Sequence, residues 1–291
     1  VEIFEAWPVA LFVVAGLVGL LVGSFLNVVA YRIPIMMERA WRAQCEELKS
    51  QPFTPPPHVA DGARFDLWWP PSTCPACGHA IAPQHNLPVI GFLWLKGRCA
   101  SCGARISPRY PLVEAFAGAL AVVVAFTFGP TWQTVAALGF AWTLLALTLI
   151  DLDHKLLPDS LTLPLLWAGL LVNVAELFAP LSSSVIGAAA GYLALWSVYK
   201  LFKLLTGKEG MGYGDFKLLA AIGAWTGWQL LPVVILLSAV VGSIVGIALI
   251  AFGGRSSQTA IPFGPYLAAA GFIALLWGER LVQLYETWFF G

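Results

Sequence analysis

Charge is what this sequence has least of. Only 11% of its 291 residues are charged, against 59% apolar, where a soluble domain carries about 25% charged residues. That scarcity excludes an ordinary soluble globular chain. Lys and Arg number 16, balanced by 16 Asp and Glu, and no nucleic-acid partner is expected. Basic residues are also missing from the start. Glu2 and Glu5 precede the first apolar run where a secretory signal would carry Lys or Arg, so that run is read as a retained helix. A G-x-G-x-x-G fingerprint behind a strand-like segment is absent as well, so any nucleotide-type cofactor needs a site of another kind.

What is present is a series of long apolar runs. Ala6 to Tyr31 carries no charge and exceeds the roughly 20 residues that cross a hydrocarbon core. Its Gly16, Gly19 and Gly23 suit close helix packing, and Asn27 suits an interhelical hydrogen bond. Ala115 to Ile150 is too long for one crossing and divides at Gly129-Pro130. Further helices are expected from about Ser160 to Phe178, up to Leu205, on either side of a break at Gly227 to Pro232, and from Ile261 beyond Trp277. The expectation is an all-α polytopic membrane protein with eight crossings. Its parts are a first helix over 1–31, a polar, proline-rich and cysteine-bearing insertion over 32–111, and a membrane domain over 112–291. Placing the insertion in the cytoplasm puts every Lys and Arg except Arg280 on that side, in accord with the positive-inside rule. Parity then brings the segments around Asp151 and Asp215 to the cytoplasmic face.

Three constellations carry chemistry. Asp151 and Asp215, each at a cytoplasmic helix end, fit a shared acid-base pair holding one proton between them. They equally fit two carboxylates resting among lipid headgroups. Asp159, after Pro158, reads as a helix N-cap. The loop Gly207 to Phe216 ends in Gly212-Tyr-Gly214-Asp215. Its glycines free the backbone for positive angles and leave room beside the Asp215 carboxylate. Cys74-Pro-Ala-Cys77 and Cys99-Ala-Ser-Cys102 form two C-x2-C pairs suited to a closed, structural zinc site, with Gly78 and Gly103 placed for tight knuckles. Disulfides are the rival reading, disfavoured in a reducing compartment. Cys45 has no partner in either pair and reads as a free thiol, and His79 and His85 as neighbours rather than ligands.

Together, Ile150-Asp151-Leu-Asp-His-Lys-Leu-Leu-Pro-Asp159, Gly212-Tyr-Gly-Asp215-Phe-Lys-Leu, Gly23-Ser-Phe-Leu-Asn-Val-Val-Ala-Tyr-Arg-Ile-Pro34 and Ile106-Ser-Pro-Arg-Tyr-Pro-Leu-Val-Glu114 resemble the type IV prepilin peptidase family. The resemblance implies a bacterial inner-membrane aspartic peptidase with its active site and zinc domain on the cytoplasmic side. It would remove the leader of prepilins and type II secretion pseudopilins after a glycine. Members that are bifunctional then methylate the exposed N-terminal residue, typically Phe, with S-adenosylmethionine. On this sequence the resemblance makes Asp151 and Asp215 the catalytic pair. Gly97, in Leu95-Lys-Gly-Arg-Cys99, is the candidate residue beside the S-adenosylmethionine site, and a knuckle glycine needed only for the fold is the competing account. Two other functions remain open at this level: a peptidase without methyl transfer, and a transporter moving protons or metal through the two aspartates.

Overall fold

The computed structural model describes residues 4, 7–45, 64–208, 210–253 and 261–289. Glu2, Glu5 and the Gly254-Arg255 turn lie outside the described residues. Among the described residues there are helices, turns and two isolated bridges but no strand. The chain divides into two compact units, Val1–Pro130 and Thr131–Gly291.

The first unit holds α1 (Pro8–Gln44), the short α2 (Ile90–Trp94) and α3 (Arg109–Phe128). Proline opens α1, where its missing N–H is no loss, and the helix runs past Tyr31 to Gln44 without a break at Arg32. The charge-free run therefore underestimates its length. Small residues bring α1 and α3 into backbone contact: a β-carbon on Gly19 would stand 2.7 Å from the Ala117 carbonyl oxygen, and one on Gly23 2.7 Å from the Glu114 α-carbon. Asn27 Nδ2 donates to the Tyr110 carbonyl at 3.3 Å, the interhelical bond its position called for. Arg32 is buried because the insertion folds onto it: Nη1 and Nη2 each donate at 2.7 Å, to the Asp66 and Pro70 carbonyls.

The second unit holds α4 (Trp132–His154), α5 (Asp159–Val172), α6 (Leu181–Thr206), α7 (Tyr213–Thr226), α8 (Leu231–Gly253) and α9 (Gly264–Phe289). The break residues behave as read, with Gly129 and Gly227 at φ 63° and 79°. Each of the eight expected runs forms a helix. Among the described residues, 6 helices are long and apolar enough to cross a membrane, namely α1, α3, α4, α6, α8 and α9. Helices α5 and α7 have 14 residues each, about 21 Å at the helical rise and shorter than a hydrocarbon core of about 30 Å, though α5 continues through a further turn, Asn173–Ala175.

Helix α7 is the centre of this unit. Every residue from Phe216 to Thr226 except Lys217 is buried. Glycines let its neighbours approach: Gly187 of α6 against Gly223, Gly169 of α5 against the Trp225 ring, and Gly271 of α9 against Ile222. The carbonyls at the end of a helix have no intrahelical partner, and Asn173, fully buried between α5 and α6, supplies one. Its Nδ2 lies 3.0 and 3.1 Å from the Ala224 and Trp225 carbonyls and 2.8 Å from Ser184 Oγ, while its Oδ1 accepts the N–H groups of Phe178 and Ala179. Leucine at position 173 would leave several of these groups unpaired, at about 1–3 kcal/mol for each buried group. Asn173→Leu should lower the unfolding midpoint in detergent titrations clearly. Thr143→Ala, which loses only a bond to Gly139 on its own helix, should leave it nearly unchanged.

Candidate active site

Asp151 lies within α4 rather than in a loop. The helix continues past Ile150 to His154 and closes on Lys155, which takes the left-handed conformation at φ 54°. Asp215 lies in the first turn of α7. The two carboxylates are 5% and 8% exposed, and both stand around one side chain: Gly214, next to Asp215, and Gly264, bonded to Asp151, each pack on Leu157.

Three features set their positions. First, the Gly264 N–H, at the start of α9, donates to Asp151 Oδ2 at 3.0 Å. Second, Leu157, in the link after α4, fills the space between the glycines. A β-carbon on Gly214 would stand 2.7 Å from Leu157 Cβ, and one on Gly264 would stand 3.1 Å from Leu157 Cδ2 and 2.6 Å from Asp151 Oδ2. Third, Lys217 on α7 pairs with both Asp159 oxygens at 2.7 Å, tying the segment after Asp151 to the helix that carries Asp215. This corrects the reading of Asp159 as an N-cap: Pro158 occupies that position and Asp159 is the first helical residue, with no capping bond. An aromatic cluster of Tyr199, Tyr213 and Phe216, with centroids 5.4–5.5 Å apart, holds the start of α7 on α6.

The glycines of the loop work differently from expectation. Gly212 is extended, at φ −79° and ψ 149°, and Gly214 is helical and outside the set of positive-φ residues. Neither uses a left-handed angle. Gly214 is needed for space against Leu157, and a β-carbon on Gly212 would meet Asp215 Oδ2 at an ordinary 3.6 Å. Gly264 was missed in the sequence. Its signal is the pair Pro262 and Pro265 around Phe263-Gly264 at a helix start, which reads as an ordinary boundary until the Asp151 contact is seen.

The cysteines assemble in the first unit. Two matching knuckles, with Gly78 and Gly103 both at φ 71°, each turn back on the first cysteine of a pair through Gly78 N–H to the Cys74 carbonyl and Gly103 N–H to the Cys99 carbonyl. The Sγ atoms of Cys74, Cys77, Cys99 and Cys102 lie within 4.8 Å of one another, close enough to draw in to the roughly 3.8 Å spacing of four thiolates about 2.3 Å from one tetrahedral zinc. The Cys102 and Ser101 N–H groups hold the Cys99 thiol down at about 6. At Cys77 the His79 N–H pulls downward, but the other thiols and burial outweigh it and push the group up to about 11. Four thiols crowded together, with Cys99 already favoured as thiolate, suit a cation that would ionise the rest. Cys45 ends α1 as an exposed free thiol. Gly97 has a fold reason for being glycine: φ is 68°, its N–H bonds to the Phe92 carbonyl, and a β-carbon would press on the Phe92 ring at 3.0 Å.

These features define a helical multi-pass membrane protein with a buried carboxylate pair in one unit and a four-thiol cluster in the other. Comparison with known proteins gives the same division. Residues 17–128 match the bacterial peptidase A24 N-terminal domain, and residues 138–247 match the type IV leader peptidase family. The chain is 56% identical over 284 residues to a prepilin leader peptidase/N-methyltransferase of Aeromonas salmonicida, covering 98% of this chain and 97% of that one. It is 54% identical over 285 residues to the protein of that name from Stutzerimonas stutzeri, with 98% and 97% covered, and 54% identical over 278 residues to that of Pseudomonas aeruginosa, with 96% and 94% covered. No solved structure matches. The chain belongs to the type IV leader peptidase family.

A methyl group at position 264 would displace the Asp151 carboxylate. Displacements of about 1 Å cost on the order of 100-fold in rate, so Gly264→Ala should lower prepilin cleavage by about that factor. Circular dichroism and zinc content should stay as in the parent protein.

Proposed function

We propose that this chain cleaves the leader from type IV prepilins and from type II secretion pseudopilins, and N-methylates the residue that cleavage exposes. The observation that carries the peptidase half is the pairing of two buried carboxylates, Asp151 and Asp215, at one end of the membrane unit. In this reading the chain sits in a bacterial inner membrane. Residues 1–31 form its first crossing, 32–111 a cytoplasmic zinc-binding domain, and 112–291 the peptidase domain.

A shared proton makes the pair competent. With one carboxylate ionised and the other protonated, the ionised group takes a proton from water as the water oxygen bonds to the scissile carbonyl carbon, and the protonated group hydrogen-bonds to the carbonyl oxygen. The tetrahedral adduct then collapses. The carbon–nitrogen bond breaks and a carboxyl proton passes to the leaving amine. The Gly264 N–H occupies Asp151 Oδ2, which leaves Oδ1 free for the water. Gly212 would keep a side chain off the approach to the Asp215 carboxylate, and Gly214 lets Leu157 close up beside it. The prepilin would lie with its basic leader in the cytoplasm and its apolar helix in the bilayer, which sets the scissile bond near the cytoplasmic ends of α4 and α7.

Zinc on Cys74, Cys77, Cys99 and Cys102 would cross-link the two knuckles of the insertion, with no open position for chemistry. The methyl group for the N-terminal amine that cleavage exposes would come from bound S-adenosylmethionine. The Gly97 turn, next to the second knuckle, is the candidate border of its site.

The test is incubation of purified protein with a prepilin and S-adenosylmethionine, followed by mass analysis of the pilin N-terminus. The parent protein should give a cleaved product one methyl group heavier than the bare N-terminus. Asp151→Ala and Asp215→Ala should each leave the prepilin uncut while still methylating a pre-cleaved pilin. Retained cleavage in either variant overturns the pair, and a cleaved but unmethylated product overturns the methyl-transfer half. Elemental analysis should find one zinc per chain, lost in Cys74→Ser and Cys102→Ser.

A further inference from the structure

The stretch Asn86 to Leu95 carries no charged side chain, and it lies inside a segment otherwise rich in polar groups and proline. Its structure is a tight re-entrant turn. Val89 takes φ 60° and ψ −47°, a conformation that β-branched residues avoid, and the Ile90 N–H returns to the Pro88 carbonyl in a γ-turn. Glycine at 91 lets the turn close, since a β-carbon there would collide with the His85 carbonyl. The strained residue is held from outside the turn: its N–H donates to Glu114 Oε2 at 2.7 Å.

Glu114 is a buried residue of α3, and its α-carbon packs against Gly23, 8 residues before the Tyr31 end of the charge-free run of α1. Pro88, Val89 and Ile90 share an open apolar groove with Leu17 and Leu20 of α1 and Gly118 and Val122 of α3. Leu20 stands 11 residues before Tyr31 on one helix, about 16 Å at the helical rise, and Gly118 about 13 Å beyond Arg109. These distances, with the bonded Glu114 about 7 Å beyond Arg109, put the turn inside a hydrocarbon core about 30 Å thick. Past the exposed Asn86 at its start, the outward side chains of the stretch are apolar: Leu87, Ile90, Leu93 and Trp94 are 44%, 59%, 66% and 67% exposed. They continue the outward face of α1, where Val9, Val13, Leu17 and Leu21 are exposed. Lys96 and Arg98 follow directly, where a segment leaving the bilayer would meet headgroups.

We infer that residues 86–95 of the insertion dip into the bilayer beside α1 and α3 as a re-entrant element, with phospholipid acyl chains covering Ile90 and Leu93. Irregular backbone survives at that depth only when its polar groups find partners in the protein. The Glu114 carboxylate, costly in the membrane by itself, meets that need for the Val89 N–H. The insertion is then anchored in lipid. The inference rests on α1 and α3 being membrane spans and is independent of the peptidase assignment.

Spin labels on single cysteines test it, in the zinc-loaded full chain with Cys45→Ser, reconstituted in phosphatidylcholine and phosphatidylglycerol vesicles. Ile90→Cys and Leu93→Cys are compared with Val13→Cys on α1 and Arg105→Cys in the second knuckle, each checked by monodisperse elution and zinc content. Collisions with dissolved oxygen should exceed those with a water-soluble nickel chelate severalfold at 13, 90 and 93, with the order reversed at 105. Nickel-chelate access at 90 and 93 equal to that at 105 would place the segment in water and overturn the inference. Low access to both reagents would mean that protein, such as a second copy of this chain, covers the segment, and would overturn it equally.

Discussion

Water is absent from the hydrocarbon core, so a backbone N–H or C=O left without a partner there costs several kcal/mol. Helix α7 tests that rule hardest, because every residue from Phe216 to Thr226 except Lys217 is buried. The unit is built to satisfy it. Asn173 takes the carbonyls at one end, and the five other helices of the unit supply the apolar cover along its length. At the remaining end stand the carboxylates and the α9 start. The same need to satisfy polar groups inside protein that shapes the closed end keeps the carboxylate pair at the open end out of bulk solvent.

Much of this was legible before any coordinates. Charge-free runs located all the long helices, because the bilayer admits few alternatives to an apolar helix. The knuckle glycines and cysteines were legible because metal-binding turns have a strict local spacing. The carboxylate pair was harder. Asp151 and Asp215 are far apart in the chain, and motif resemblance, rather than periodicity, brought them together. Helix lengths were read short at α1 and α4, since a helix does not end where its first charged residue appears. Arg32 continues α1 because folded carbonyls receive its guanidinium, and no local pattern encodes those partners.

Gly264 and Asn173 escaped notice for a related reason. Each acts through one tertiary hydrogen bond or a small group of them, and a lone glycine or asparagine near a helix boundary has many ordinary explanations. The error about Gly212 and Gly214 has the same root. Glycine answers two different needs, unusual backbone angles and missing volume, and only the packing against Leu157 shows which need applies at Gly214.

The contact between Gly187 and Gly223 has a further consequence. Each residue's missing β-carbon would fall on the other's carbonyl oxygen, so α6 and α7 meet backbone to backbone. Sliding one past the other by a residue would drive an alanine, Ala188 or Ala224, into that contact. The height of Asp215 along α6 is therefore locked. Helix α6 is itself long and apolar enough to cross a membrane, so this lock fixes the carboxylate's height against the bilayer as well as against its neighbour, with no side-chain rotamer able to change it.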